Sequence, residues 1–226
     1  MNRFIQDTQK TKKTKKTKKK NIPLTLYYDT ELIEAGIDEA GRGCLSGRVY
    51  VGAVILPKEI NDDIYTQIKD SKKLSRKKRK VLREYIEKTA LAYSVAYAEP
   101  EEIDSLNILE ATLQTMHKAL DGLSIEPEQI LVDGTQFHMY SSKSGNFIPH
   151  ETVINGDNTY YSIAAASILA KVYHDEYVEE LCINDPELQE KYDWENNMCY
   201  GTRKHMEGIR THGINRYHRK SFKPCM

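Results

Sequence analysis

Two adjacent carboxylates stand directly before a glycine-rich loop near the beginning of the chain. Asp38 and Glu39 lie inside the stretch GIDEAGRG, which spans residues 36–43. Neighbouring side chains of a strand point to opposite faces, so the two acids can serve one site only where the strand ends. The glycines leave backbone N–H groups accessible to a phosphate, and Arg42 adds a guanidinium suited to the same ligand. The stretch suggests a site for a cation and a phosphate, although an ordinary turn with two solvated acids fits the same residues.

A third carboxylate, Asp133, follows a short apolar run. Residues 129–133 read QILVD and a glycine comes next, a pattern typical of a buried strand that ends at the acid. Open α/β sheets place their sites at the carboxyl ends of strands. Asp133 is therefore a further candidate for the same site, and a plain Asp-Gly turn is the alternative.

A fourth candidate, Asp175, lies on a long predicted helix. The spacing predicts a helix from Asn158 to Leu181, with Asp157 or Asn158 as its N-cap. Asp175 continues an apolar row at spacings of three and four residues, so it falls on the buried stripe and needs a partner. That partner is either a metal ion or Lys171, one turn earlier, in an ordinary ion pair. The row consists of Tyr161, Ala165, Ile168 and Val172.

These four acids would come together from two strand ends and one helix. Such a cluster of Asp38, Glu39, Asp133 and Asp175 repels itself unless cations neutralise it. Ligation by oxygen alone suits Mg²⁺ or Mn²⁺ rather than zinc. Two such ions, about 4 Å apart, stabilise the attacking and leaving oxygens of an in-line phosphoryl displacement. The residues therefore predict a metal-dependent site for phosphoryl transfer.

Seven motifs follow one another in order between about Glu34 and Phe222. They are GIDEAGRG, VYVGAVILP, DSKKLSRKKR, ILVDG, GDNTYYSIAAASILAKVYHD, YGTRKH and HRKSF. This ordered series resembles the ribonuclease HII family, the type 2 ribonucleases H that cut RNA in RNA–DNA hybrids. The resemblance implies an α/β fold with a ribonuclease H-like mixed five-stranded sheet, flanked by helices and followed by a helical C-terminal part.

The resemblance also implies the parts of the active site. The family pattern assigns catalysis and the binding of two Mn²⁺ or Mg²⁺ ions to the four acids named above. Gly41, Arg42 and Gly43 would read the 2′-hydroxyl and the adjoining phosphate, and Tyr200 would stack on the sugar beyond the cut. The implied substrates are RNA–DNA hybrids and DNA duplexes that contain ribonucleotides, cut on the 5′ side of a ribonucleotide. Removal of primers and of misincorporated ribonucleotides would be the cellular task.

Several positions depart from the family pattern near the predicted site. The loss of a basic residue at Asn155 and at His174 motivates a second function class: a non-catalytic subunit that binds RNA–DNA hybrids on the same fold. The four acids favour the endonuclease, because a binding protein gains nothing from carboxylates that repel one another. The departures are Cys44 and Arg48 for proline, Asn155 for lysine, His174 for arginine, and Met198-Cys199 for lysine and glycine.

Composition agrees with one catalytic domain over residues 21–226. The chain has 226 residues, of which 39% are hydrophobic, and no apolar run approaches the roughly 18 residues of a membrane span. Its four cysteines lack paired spacing, which favours reduced thiols in an intracellular compartment. The sequence leaves open whether that compartment is the cytoplasm or the nucleus. We expect a monomer that acts on nucleic acid without a membrane.

The first twenty residues differ in composition from the rest. They contain nine basic residues and one acid, so the remainder has 24 basic against 32 acidic residues. This pattern predicts a disordered basic tail. Such a tail can hold nucleic acid non-specifically, carry a nuclear address or be a solvated end without either role.

Overall fold

A mixed five-stranded sheet forms the centre of the protein, which a computed structural model describes over residues 24–59 and 62–226. The strands are β1 (Glu34–Ala40), β2 (Val49–Ile55), β3 (Ala92–Ala98), β4 (Gln129–Asp133), β5 (Tyr140–Ser141), β6 (Phe147–Ile148) and β7 (His150–Val153). The sheet has the order β3-β2-β1-β4-β7, and β5 and β6 form a separate ribbon. The α/β fold class is therefore confirmed, whereas the predicted basic tail, residues 1–20, lies outside the described residues.

β1 lies in the middle of the sheet and brings three candidate acids to one edge. It pairs antiparallel with β2 and parallel with β4. Ile37 is opposite Val132 in the parallel register, so Asp38 and Asp133 follow side by side on strands that lie about 4.8 Å apart. Glu39 comes next on β1. The carboxyl ends of the two strands thus meet at the same edge of the sheet.

Helices cover both faces of the sheet, as the alternation of strand and helix patterns indicates. The helices are α1 (Arg76–Thr89), α2 (Pro100–Leu106), α3 (Ile108–Asp121), α4 (Tyr161–Asn184), α5 (Glu187–Tyr192), α6 (Trp194–Asn197) and α7 (Arg203–His212). In the described ranges, none of them is long and apolar enough to cross a membrane. The last three helices form the helical C-terminal part that the sequence predicts.

The longest helix, α4, packs tightly against β1 and β2. A methyl group on Gly36 would lie 2.3 Å from the backbone of Ser162, and one on Gly52 would lie 2.5 Å from the carbonyl oxygen of Ala166. Neither position has room for a side chain, because the helix backbone occupies that space. Glycine on the strands therefore sets how closely α4 approaches the sheet and how it is placed along β1.

α4 begins three residues later than the sequence predicts. Residues 156–158 form a 3₁₀ turn instead of the first helical turn. The carbonyl of Thr25 accepts the backbone N–H of Tyr161 at 3.1 Å, which a helix begun at residue 158 would use internally. Asp157 consequently does not cap the helix, and its carboxylate serves another part of the structure.

The segment after α7 returns to the loop that joins β1 and β2. Arg219 is fully buried there. Its Nε donates a hydrogen bond to the carbonyl of Gly47, and its Nη1 donates one to the carbonyl of Arg42, each at 3.0 Å. The C-terminal segment therefore anchors the glycine-rich loop by hydrogen bonds to two of the loop's backbone carbonyls.

Candidate active site

The acids at the end of β1 lie in a strongly negative environment. Asp38 has only 4% of its surface exposed. Burial raises its pKa well above the usual range, and the charges of Glu39, Asp133 and Asp157 raise it further. Burial also raises the pKa of Glu39, although Arg42, whose Nη1 lies 3.2 Å from Oε1, partly opposes that rise. Burial is thus the main cause of both raised pKa values; the like charges add to it at Asp38, whereas Arg42 offsets part of it at Glu39.

Asp157, predicted as a possible helix cap, belongs to the same group of acids. It is buried, and burial followed by the charges of Asp70 and Asp133 raises its pKa to about 6. The N–H of Gly156 donates to Oδ1 of Asp133 at 2.6 Å, which holds the turn that carries Asp157 at the end of β4. The signal for it in the sequence was the GDN that opens the fifth motif. We call the following four residues the acid cluster: Asp38, Glu39, Asp133 and Asp157.

The structure does not bring Asp175 into the acid cluster, although the sequence predicts it there. Asp38 pairs with Gly52 in the sheet, and Gly52 packs on Ala166 of α4. Asp175 lies nine residues further along the helix, roughly 13 Å along its axis. The helical periodicity correctly predicted that Asp175 lies on a buried face of α4. At this position along the helix, however, that face meets Arg79 of α1 instead of the ends of β1 and β4.

Three donors hold the Asp175 carboxylate. Lys171 Nζ at 2.7 Å and His174 Nδ1 at 3.1 Å donate to Oδ1, and Arg79 Nη2 donates to Oδ2 at 3.1 Å. Burial alone would raise the pKa of Asp175, but the hydrogen bond from His174 and the charge of Lys171 outweigh it, so the pKa is lowered. The ion pair with Lys171, one of the two alternatives open from the sequence, is the one that forms.

Lys72 places a cation beside the acid cluster, a role that the sequence did not suggest. Its Nζ lies 3.9 Å from Oδ2 of Asp157, and 80% of its side chain is exposed. Burial lowers the pKa of Lys72, but the charges of Asp157 and Asp38 outweigh that effect and raise it. We call residues 70–74 the lysine turn; in it the carboxylate of Asp70 accepts the N–H of Lys72 at 2.9 Å. An exposed ammonium therefore stands at the edge of the acid cluster.

The donor set of the acid cluster fits a hard divalent cation. All four side chains offer carboxylate oxygens, which Mg²⁺ and Mn²⁺ prefer. The raised pKa values of Asp38, Glu39 and Asp157 identify a place where added positive charge is favourable. Among the described residues, no three such side chains already converge to coordinating distance. An ion would therefore have to draw the oxygens together as it binds.

The glycine-rich loop lies beside the acid cluster with its backbone exposed. Gly41 has a φ of 90°, and a methyl group there would lie 2.7 Å from the ring of His174 and 2.9 Å from the carbonyl oxygen of Arg48. Only glycine fits this position, on grounds of both conformation and space. Arg42 and Gly43 follow at the surface. The loop thus presents backbone groups and a guanidinium next to the acids.

Tyr200 stands against the same loop. A bridge pairs its backbone with Cys44, and a methyl group on Gly43 would lie 3.5 Å from the tyrosine ring; 39% of the surface of Tyr200 is exposed. Met198 and Cys199, just before it, have φ values of 48° and 64°. This left-handed conformation favours glycine, which explains why glycine is more usual before this tyrosine. The aromatic ring and the loop share one surface.

Two other departures from the family pattern have a structural explanation. Asn155 has a φ of 55°, and asparagine tolerates the left-handed region better than most residues. Arg48 donates to Glu99 at 2.6 Å, and its guanidinium lies 3.9 Å from the centroid of the Tyr97 ring. The end of the loop is therefore anchored by an ion pair and a cation–π contact in place of a proline ring.

The fold and the acids at its carboxyl edge define the ribonuclease H-like class of nucleases. The crystal structure of ribonuclease H2 from Pyrococcus horikoshii OT3 matches with a TM-score of 0.68 and 25% identity, over 85% of this chain and 94% of that one. A structure of the PCNA:RNase HII complex from Archaeoglobus fulgidus matches with a TM-score of 0.56 and 28% identity, over 76% and 95%.

Sequence comparison narrows the class to one family. The profile of the family "Ribonuclease HII" matches residues 35–225. Ribonuclease HII of Parabacteroides distasonis is 50% identical over 196 residues, which are 87% of this chain and 92% of the relative. The chain belongs to the ribonuclease HII family. It is a type 2 ribonuclease H, a metal-dependent hydrolase of RNA–DNA hybrids.

Proposed function

We propose that this enzyme cuts on the 5′ side of a ribonucleotide at an RNA–DNA junction, with two divalent ions held by the acid cluster. The observation that carries the proposal is a group of buried and half-buried acids with raised pKa values: Asp38 and Glu39 at the end of β1, and Asp157 in the turn bound to Asp133 of β4. The set differs from the one predicted from sequence in one member, Asp157 in place of Asp175. We further propose that the enzyme acts as a monomer inside the cell, where its nucleic-acid substrates occur.

The chain's own groups prepare the site for a phosphate. When bound, the divalent ions would supply an activated water and stabilise the attacking and leaving oxygens. A bound cation would favour the charged forms of Asp38, Glu39 and Asp157 and so lower their raised pKa values. Lys72 offers an exposed ammonium at the edge of this group. It attracts the phosphate that the negative charge of the acids would otherwise repel.

Choice of the bond rests on the glycine-rich loop and Tyr200 together. Gly41 and Gly43 leave the backbone open for hydrogen bonds to the 2′-hydroxyl, which distinguishes RNA from DNA. Arg42 would contact the adjoining phosphate. Tyr200, packed beside Gly43, offers its ring to the next sugar. The two elements adjoin, so they can read a ribonucleotide and the deoxyribonucleotide that follows it.

The alternative function, a non-catalytic hybrid-binding subunit, has weaker support. It rested on two lost basic residues, Asn155 and His174. His174 is fully buried beneath Gly41, so a residue at this position acts through packing instead of facing a substrate. The acid cluster keeps four carboxylates whose repulsion has no use in a binding protein.

A cleavage assay tests the proposal. A DNA duplex with one embedded ribonucleotide is incubated with Mg²⁺, Mn²⁺ or EDTA, and the cut is mapped on a denaturing gel. We expect a 3′-hydroxyl and a 5′-phosphate at the 5′ side of the ribonucleotide, and no cleavage in EDTA. Cleavage that persists in EDTA, or a cut elsewhere, would contradict the proposal.

Variants of two acids test which residues bind metal. Asp133→Asn and Asp157→Asn should each lower turnover by about 10³-fold or more, as expected when charge stabilisation of the transition state is lost. The exposed Asp185 provides the control, since Asp185→Asn makes the same exchange away from the site and should be neutral. Full turnover of a folded Asp157→Asn enzyme would exclude that residue from the metal site.

A further inference from the structure

Asp175 occupies a central place between two segments that border the acid cluster. One oxygen of its carboxylate meets Arg79 of α1, and the other meets Lys171 and His174 of α4. The carboxylate itself is 95% buried. It therefore contacts neither solvent nor, in the proposed function, the nucleic acid. Its three partners, however, also contact residues that border the acid cluster.

One set of contacts leads from Asp175 to the lysine turn. Arg79 donates Nη2 to Asp175, while its Nη1 donates to the carbonyls of Ser71 at 3.2 Å and Leu74 at 2.8 Å. These carbonyls lie on both sides of Lys72. The planar guanidinium thus fixes the distance between the turn and the carboxylate, which a single-point ammonium cannot do. The position of the exposed Lys72 depends on this arrangement.

The other set leads to the glycine-rich loop. Nδ1 of His174 donates to Asp175, so its Nε2 carries no proton when the ring is neutral, and it lies 3.4 Å from the Cys44 sulfur. The same ring fills the space directly under Gly41, where a methyl group would come within 2.7 Å of it. Burial lowers the pKa of His174, which keeps the ring neutral and this tautomer in place. The orientation of the ring therefore depends on the carboxylate.

Lys171 extends the same set toward the aromatic side of the site. Its Nζ donates to Asp175 at 2.7 Å and lies 5.6 Å from the centroid of the Tyr200 ring. Lysine near an aromatic face is held there by cation–π attraction as well as by its ion pair. Asp175 consequently contacts a partner for each of the three substrate-facing parts: the lysine turn, the glycine-rich loop and Tyr200.

We propose that Asp175 is a positioning residue that holds the lysine turn on one side and the glycine-rich loop with Tyr200 on the other in a fixed relation. It binds neither metal nor substrate. The inference rests on the proposed function, because it takes these three parts to be the ones that contact nucleic acid. It predicts that loss of the carboxylate weakens substrate binding while the metal site stays intact.

The test separates substrate binding, metal binding and folding. For Asp175→Asn we expect the KM for a duplex with one embedded ribonucleotide to rise about tenfold, which corresponds to about 1.4 kcal/mol, with kcat changed less than about threefold. Mn²⁺ affinity, measured by calorimetry, should match the wild type, whereas Asp133→Asn should lose it. A loss of Mn²⁺ affinity in Asp175→Asn would show a metal ligand and overturn the proposal.

A purely structural role would give a different pattern. It would lower the fraction of active enzyme and hence kcat, with KM unchanged. Glu176→Gln is the matched control. Glu176 is the next residue on α4 and pairs with Lys80 and Arg83 of α1. The substitution therefore removes ion pairs between the same two helices and leaves the carboxylate of Asp175 unchanged. Its KM should stay within about twofold of the wild type. An equal rise of KM in this control would overturn the proposal.

Arg79→Lys keeps the test valid if Asp175→Asn does not fold. It retains a positive charge for Asp175 but cannot serve two carbonyls and a carboxylate at once. We expect a similar rise in KM, and no further rise in the double variant, because both changes break one connection. An unchanged KM in Arg79→Lys would refute the connection to the lysine turn.

The proposal also remains testable if the proposed function fails. Binding of an RNA–DNA hybrid in EDTA, followed by fluorescence anisotropy, requires no cleavage. Asp175→Asn should bind about ten times more weakly than the wild type. If the wild type binds but does not cut, the proposed function is wrong and the positioning role is judged by this measurement alone; equal affinities would refute it.

Discussion

Replacing Asp157 by asparagine should stabilise the protein without divalent ions while it abolishes cleavage. The carboxylate is buried near Asp70 and Asp133, which raises its pKa to about 6, against about 3.9 for an unperturbed aspartate. Two pKa units correspond to about 3 kcal/mol, which is an upper bound. Screening by solvent and the sharing of protons among coupled acids reduce the expected gain to about 1–2 kcal/mol.

The gain in stability should depend on pH in a defined direction. Because the pKa of Asp157 is higher in the folded than in the unfolded protein, the folded state binds the proton more tightly. Ionised Asp157 therefore lowers the free energy of unfolding of the wild type. This loss grows as the pH rises from about 4 to about 6 and is complete above that range. The difference between Asp157→Asn and wild type should be full near neutral pH and vanish toward about pH 4. Urea unfolding in EDTA at both pH values measures it.

Asp175→Asn is the matched control for this measurement. The pKa of Asp175 is lowered in the folded protein, so its carboxylate stabilises the fold at every pH above the pKa of the unfolded state. Asparagine removes this stabilisation and leaves Arg79 and Lys171 without their partner. It should destabilise the protein by about 3–5 kcal/mol at neutral pH. Mn²⁺ at 100 times its dissociation constant should stabilise the wild type by about 2.7 kcal/mol and leave Asp157→Asn unchanged. Destabilisation by Asp157→Asn in EDTA at neutral pH would refute its place in a self-repelling cluster.

The remaining predictions concern the metal, the loop and the tyrosine. Mn²⁺ affinity should fall as the pH drops through about 6, where Asp157 takes up its proton, and calorimetry in two buffers should detect released protons. Gly41→Ala should impair cleavage of all substrates in steady-state assays, because its methyl group would collide with His174. Tyr200→Ala should lose more activity on one embedded ribonucleotide than on a continuous hybrid; equal losses would make the tyrosine structural. Cys199→Gly should change stability by less than about 1 kcal/mol in thermal unfolding, since relief of its φ of 64° offsets the lost side chain.

The sheet and the place of three acids could be predicted because the signals are local. A run such as QILVD is apolar over the length of a strand and stops at an acid, and the structure has β4 at Gln129–Asp133. The same reasoning placed Asp38 and Glu39 at the end of β1. Parallel pairing then brings the strand ends together without any knowledge of side-chain contacts. The parallel direction of β1 and β4 was therefore enough to predict that Asp38, Glu39 and Asp133 lie at the same edge of the sheet.

The surroundings of Asp157 and Asp175 could not be predicted because their neighbours come from distant parts of the chain. Helical periodicity shows that Asp175 is buried but not what lies opposite, and Arg79, which meets it, is 96 residues away in sequence. The start of α4 depends on Thr25, far outside the helix. Capping rules applied to the local sequence therefore made Asp157 a cap, and tertiary contacts overrode them.

The two aspartates of the fifth motif show how surroundings assign different roles to the same residue type. Asp157 and Asp175 are equally buried, each with 4% of its surface exposed. Asp175 has both oxygens occupied by donors, which lowers its pKa, so a cation would have to displace existing partners. Burial and then the charges of Asp70 and Asp133 raise the pKa of Asp157, and among the described residues no such set of donors opposes them, so a cation would relieve repulsion there. Burial is thus the same at both positions, and the sign of the pKa shift separates the acid suited to bind a metal from the one suited to hold its neighbours in place.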